Sequence, residues 1–259
     1  MSNNMLDERS RSTVNSATKV DVKRFYDQYA GNWDKRFRDN LSTRHFHNRR
    51  VRTVEDMAQF KPTDVVLELG CGTAPYIEKL AGSIHRYVGV DISDSMLTGA
   101  RQRSDSLGFG EWTSFSVDDA ETLGSITDNS IDVVFFMGLV EHLLDLTALF
   151  VSCWRVLKPG GKLIGVCSNR LSPWYSIVAL LFRNSVKHLS TDRYYRASEL
   201  KQVALAQAFK DFRCIYWGFI PPGDFPDWIY GPAVLAEKIG ENTVLRYLSG
   251  GISFCVSKP

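Results

Sequence analysis

The chain is poor in several signals that would assign it quickly. Its five cysteines, Cys71, Cys153, Cys167, Cys214 and Cys255, are scattered and never spaced Cys-x-x-Cys. That argues against a structural metal or a disulfide framework and for a reducing compartment. Charge of one sign is lacking too: 31 Lys plus Arg stand against 29 Asp plus Glu, a formal charge of +2. Nothing in that balance points to nucleic acid as a partner. The longest apolar run, residues 174–182, is about half the ~20 residues of a membrane span. Residues 1–17 lack the apolar stretch of a secretory signal and read as a disordered tail. A cytoplasmic location is expected. There is no internal repeat.

What is present is an alternation. At 259 residues and 44% hydrophobic, the chain suits a single α/β domain. Thr18-x-x-Asp21 has the form of a capping box and opens a helical pattern through Val22, Phe25, Tyr26, Tyr29 and Trp33. A second helix, with Val51, Val54, Met57 and Ala58 on one face, should stop at Lys61-Pro62. Strands are then predicted at 65–69, 85–91, 112–117, 131–136 and 163–167, with helices between them. Pro75 is expected in a first helical turn, and Lys158-Pro159-Gly160-Gly161 as a turn before strand five. A further helix at 198–209, a strand at 213–217, a helix at 232–248 and a strand at 252–257 complete the pattern. Such alternation predicts a doubly wound, Rossmann-like sheet with ligands at the carboxyl ends of its strands. The expected organisation is a helical lid at 18–62, a cofactor-binding half at 63–167 and an acceptor-side half at 168–259.

The most informative stretch is residues 65–74, VVLELGCGTA. A strand breaks into Gly70-Cys71-Gly72, where the missing Cβ atoms let a ligand approach the backbone. Three acids stand at successive strand ends: Glu68, Asp91 and Asp119. Asp91 can accept both hydroxyls of a ribose, and Asp119, one strand further on, an adenine amine. A dinucleotide is the rival ligand, but its third glycine would fall on Pro75, and Glu68 would repel a pyrophosphate. A sulfonium and an α-amino group suit that charge better.

On these residues the chain resembles the class I S-adenosylmethionine-dependent methyltransferases. The resemblance is carried by Glu68-Leu69-Gly70-Cys71-Gly72-Thr73, Val90-Asp91-Ile92, Asp119-Ala120-Glu121, Asp132-Val133-Val134 and Arg155-Val156-Leu157-Lys158-Pro159-Gly160-Gly161. It covers residues 65–166 closely and is nearest to the small-molecule branch that includes ubiquinone and menaquinone biosynthesis enzymes. It implies S-adenosylmethionine as cofactor, a seven-stranded sheet, and a last strand antiparallel between strands five and six. It also implies adenine contacts from Asp119 and the Ala120 amide, and a methionine contact from the backbone near Met137. A helix from Phe25-Tyr26 to Trp33 would fold over the cofactor, with Phe25 as core and the polar tips of Tyr26 and Tyr29 toward the ligand. The candidate cofactor contacts are then Glu68, Gly70, Cys71, Gly72, Asp91, Ile92, Met96, Asp119, Ala120, Met137, Tyr26 and Tyr29. Ala74-Pro75 departs from the family, which often has another glycine there.

Glu141-His142, just after strand four, is the candidate catalytic pair, because an imidazole can take a proton from a hydroxyl acceptor near neutral pH. Both residues can equally line the site or cap the next helix. The acceptor pocket is expected from 168–197 and 219–230, which carry Trp174, Tyr175, Tyr194, Tyr195, Phe219, Phe225, Trp228 and Tyr230. The basic residues of the first of these segments can match an anionic substrate, a membrane surface beside 174–182, or simply solvent. Phe136-Met137-Gly138-Leu139 stands where base-amine methyltransferases carry an Asn/Asp-Pro-Pro-Tyr stretch, so nucleic acid is a poor acceptor. The expected reaction is methylation of a small apolar or aromatic metabolite, most readily on oxygen. N- or C-methylation of a small molecule or lipid, or a non-catalytic cofactor-binding regulator, are the alternatives.

Overall fold

The computed structural model describes residues 4–34, 41–173, 193–220 and 227–259, with the side chains of the first helix from Lys19 onward. Chain order runs α1 (Asn4–Trp33), α2 (Leu41–Ala58), β1 (Val65–Leu69), α3 (Ile77–Leu80), β2 (Arg86–Asp91), α4 (Asp94–Ser106), β3 (Thr113–Val117) and β4 (Ile131–Met137). It continues with α5 (Leu146–Val156), β5 (Leu157–Ser168), α6 (Ala197–Ala206), β6 (Lys210–Trp217), α7 (Asp227–Glu241) and β7 (Gly251–Ser257). The seven strands lie in the order β3-β2-β1-β4-β5-β7-β6. β7 is antiparallel to both β5 and β6, while β1 to β5 are parallel to one another. This is the doubly wound sheet expected from the sequence.

Alternation along the central strands explains why both faces are covered. On β4, Val133 and Phe135 join the core under α2 and α3, and Val134 and Phe136 the opposite core with Leu149, Phe150 and Phe254. A strand side chain points to one face and the next to the other, so an unbroken apolar run needs two helical layers. Ser93 caps α4 through Met96 N, and Asp145 caps α5 through Thr147 N and Ala148 N, so both helices begin just beyond a strand's carboxyl end. Those ends, and the loops after them, make the ligand face.

Several boundaries differ from expectation for local reasons. α1 starts at Asn4, within the segment expected to be a disordered tail, which contains no Gly or Pro to interrupt a helix. α1 lies over the ligand face, whereas α2, placed with it in the expected lid, buries Val51, Val54, Met57 and Ala58 on the sheet and reaches the ligand face through Arg50. α2 ends at Ala58, ahead of Lys61-Pro62, with Gln59 at φ 51°. α3 is a single turn capped at Tyr76, so Pro75 precedes it. β5 runs through Pro159 and Gly160, and the register slips between Ile131 and Val133 to absorb the extra residues. α7 begins five residues before Pro232, which lies inside it. Trp174, Tyr175 and Phe225 lie outside the described residues.

Candidate active site

A cavity of about 260 Å³ opens at the carboxyl ends of β1, β2 and β4, beneath α1. That is near the lower end of small-ligand sites. Its wall brings together Gly70, Gly72, Asp91, Ile92, Met96, Asp119, Ala120, Met137, Tyr26 and His142, all anticipated from sequence. Lys19, Arg50, Trp33, Leu139 and Leu143 also line it.

The glycine turn is shaped by what surrounds it. Gly70 and Gly72 have φ of 65° and 55°, the left-handed region that costs other residues about 1–2 kcal/mol. A Cβ at Gly70 would come 3.0 Å from Leu139 Cδ1, and one at Gly72 3.2 Å from Trp33 Nε1. The turn is thus closely flanked by two cavity-lining side chains. Cys71 between them faces away from the cavity: its N–H donates to Val90 O, and its thiol is buried beside Gly89. The expectation that Cys71 lines the site therefore fails for its side chain.

Asp91 is the best-placed acceptor. Its Oδ2 accepts from Gly72 N–H and its Oδ1 from Ser93 N–H, both at 2.9 Å. Each oxygen retains a lone pair for a ligand hydroxyl. Burial pushes its carboxyl pKa up, and the amides of Ser93 and Gly72 pull it back. Asp119 is differently engaged. Lys19 Nζ from α1 lies 2.5 Å from Asp119 Oδ2 and 2.7 Å from Glu121 Oε2. Burial works against the lysine's charge, but the two carboxylates outweigh it and its pKa rises. Glu121 Oε1 accepts Leu144 N–H, so this ion cluster ties α1 to the loops after β3 and β4. The far end of α1 is fastened over the glycine turn, where Thr73 Oγ1 donates to Asp34 Oδ1 and Arg103 pairs with the same carboxylate.

Three expected contacts are corrected. Glu68 lies under the turn and not on the cavity wall: it is 3% exposed, and Tyr87 Oη donates to its Oε2 at 2.6 Å. Burial pushes its carboxyl up to about 8, against the pull of Tyr87 and of the Arg50 charge. Burial thus works against the anion that was expected to face a sulfonium there. Tyr29 packs on Phe25, ring centroids 5.6 Å apart, and on Trp33, and is not part of the wall; Phe25, expected as core, is. Glu141 and His142 part company. They sit in a 3₁₀ turn, Val140–His142, where neighbouring side chains are about 120° apart. His142 faces the cavity, its ring 5.8 Å from that of Tyr26. Glu141 is buried off the wall, with Oε1 accepting Ser168 N–H at 2.7 Å and Oε2 unpartnered among the described residues.

Two motif stretches serve the fold and not the site. Asp132 Oδ2 accepts Val65 N–H and pairs with Lys158, at the opposite ends of β1 and β4 from the cavity. Arg155 donates to the carbonyls of Thr122, Leu123 and Ile126, holding the loop after β3. Arg50 and Lys19 were missed, since single cations on helices before the first strand carry no spacing signal.

Sheet order, glycine turn and the acids after β2 and β3 together define a nucleoside-binding Rossmann-like methyltransferase. The model of the methyltransferase domain matches residues 67–165. A ubiquinone biosynthesis O-methyltransferase of Xanthomonas axonopodis pv. citri is 30% identical over 200 residues, 77% of this chain and 80% of that protein. The chain belongs to the class I S-adenosylmethionine-dependent methyltransferases, and S-adenosylmethionine is its cofactor. Phosphoethanolamine N-methyltransferase 2 of Caenorhabditis elegans is 29% identical over 123 residues, 46% of this chain and 27% of that protein. In structure, a methyltransferase from Thermotoga maritima, described as a possible histamine N-methyltransferase, superposes with a TM-score of 0.67. It shares 19% identity over 91% of this chain and 99% of its own, which speaks for the fold.

Proposed function

We propose that the enzyme methylates an oxygen of a small, apolar or aromatic metabolite, with His142 as general base. The observation that carries this is that His142 shares one cavity with Asp91 and the glycine turn, beside Tyr26, Leu139 and Leu143. The O-methyltransferase name of the 30% identical relative supports the choice of atom.

The residues fit the cofactor. Asp91 would hold the ribose hydroxyls, and Asp119 with the Ala120 amide the adenine edge. Arg50, a cation on the wall near Gly138, would take the methionine carboxylate, with the backbone at Met137 for the amino group. Bound there, S-adenosylmethionine supplies an electrophilic methyl group, which the acceptor oxygen takes while the carbon–sulfur electron pair stays on sulfur. The chain's contribution would be alignment: the glycine turn would hold the cofactor, and the apolar side chains of Leu139 and Leu143 on the same cavity wall would orient the acceptor and exclude water. His142 removes the hydroxyl proton as the oxygen–carbon bond forms.

The test measures S-adenosylhomocysteine release with matched phenols, catechols, amines and carbon nucleophiles. Phenolic acceptors should turn over, and His142→Gln should lower kcat about 10²–10⁴-fold without altering cofactor affinity. The variant should also lose the acidic limb of the pH–rate profile. Preferred turnover of amines, or an unchanged kcat in the variant, refutes the assignment.

A further inference from the structure

α7 is amphipathic in the wrong sense for a helix packed on a protein core. At about 100° per residue, Tyr230, Glu237 and Glu241 fall on one stripe, and Trp228, Leu235 and Ile239 on the stripe opposite. The polar stripe faces inward. Tyr230 Oη lies 3.1 Å from His45 Nδ1, and Glu237 Oε1 2.7 Å from His45 Nε2. Glu237 Oε2 accepts the amides of Phe219 and Ile220, and Glu241 pairs with Arg49 at 2.6 Å and accepts Gly218 N–H. The helix is thus attached to α2 and to the end of β6 by hydrogen bonds and ion pairs.

Its apolar stripe is left outside. Trp228 is 78% exposed, Leu235 62% and Ile239 58%, and the 3₁₀ turn that follows (Val244–Leu248) extends the surface with Val244 at 80%. Scattered apolar residues on a surface need no explanation, but a contiguous ridge on one helix and the next turn does. Charge selects the occupant. Both described acids of this segment, Glu237 and Glu241, are turned inward and paired, while its two cations, Lys238 and Arg246, are exposed. A second copy packed by two-fold symmetry would bring like charges together, with no acid among the described side chains of this face to answer them. An anionic lipid surface answers both features, with apolar side chains below the headgroups and long cationic ones at the phosphates.

We propose that the outer face of α7 and the following turn seats the enzyme on an anionic membrane surface. The proposal is independent of which acceptor is methylated. Flotation of the full chain with vesicles of equimolar phosphatidylglycerol and phosphatidylcholine, against phosphatidylcholine alone, tests it. Binding to the neutral vesicles should be about thirty-fold weaker, as expected for two cations near a charged surface. Lys238→Glu with Arg246→Glu should lose that preference, and Leu235→Ser with Ile239→Ser and Val244→Ser should lose binding altogether. Both variants should keep the parent's Tm and cofactor affinity. No binding by the parent chain, unchanged binding by both variants, or a dimer in sedimentation that the serine variant dissolves each overturns the proposal.

Discussion

Replacing Glu68 with Gln separates its charge from its hydrogen bond. The carboxyl is 3% exposed and raised to about 8, from an ordinary value of 4.5. A folded-state pKa above the unfolded one means that the native chain holds a proton the unfolded chain gives up. The stability from that proton is complete below about 4.5 and is lost as pH rises toward 8. Within that window each pH unit is worth about 1.4 kcal/mol. Between pH 5.5 and 7.5 the difference in unfolding free energy between Glu68→Gln and the parent should therefore shift by about 3 kcal/mol in the variant's favour. Glutamine can still accept from Tyr87, and any cost of its amide is independent of pH, so the slope is the readout. Urea unfolding of both proteins at three pH values measures it. Parallel stabilities across the range would refute the account and return Glu68 to service as a permanent anion.

Two further substitutions divide site from scaffold. Asp91→Ala should weaken S-adenosylmethionine binding at least a hundredfold by calorimetry, since two charge-assisted bonds are worth about 3 kcal/mol or more. It should also lower stability by about 2 kcal/mol, because the amides of Gly72 and Ser93 lose their acceptor. Arg155→Lys should cost about 2 kcal/mol in urea unfolding, as a single ammonium cannot reach the carbonyls of Thr122, Leu123 and Ile126 together, while cofactor affinity stays unchanged.

The sheet was legible from sequence because its signals are local: apolar runs of strand length, a glycine break, and acids where strands end. The antiparallel β7 is not a local signal, and it came from family resemblance. What escaped depends on partners far along the chain. Glu68 looks like an anion beside a ligand until Tyr87, on the neighbouring strand, donates to it. Glu141 and His142 are adjacent in sequence, yet the 3₁₀ turn sends one to β5 and the other to the cavity. Lys19 gains its meaning from Asp119 and Glu121, a hundred residues on.

The insertion of β7 also governs how the sheet can be completed. β6 sits at the sheet's edge with β7 as its ladder partner, so it has no place to dock before Gly251–Ser257 arrives. A chain emerging from the ribosome can pair β1 through β5 early, then carries one open edge on β5 and two on β6 throughout synthesis of α7. Open strand edges are templates for other chains. A polypeptide still lacking β7 is thus more open to edge pairing than the folded domain, and β7 on arrival closes two of these three edges, leaving the outer edge of β6.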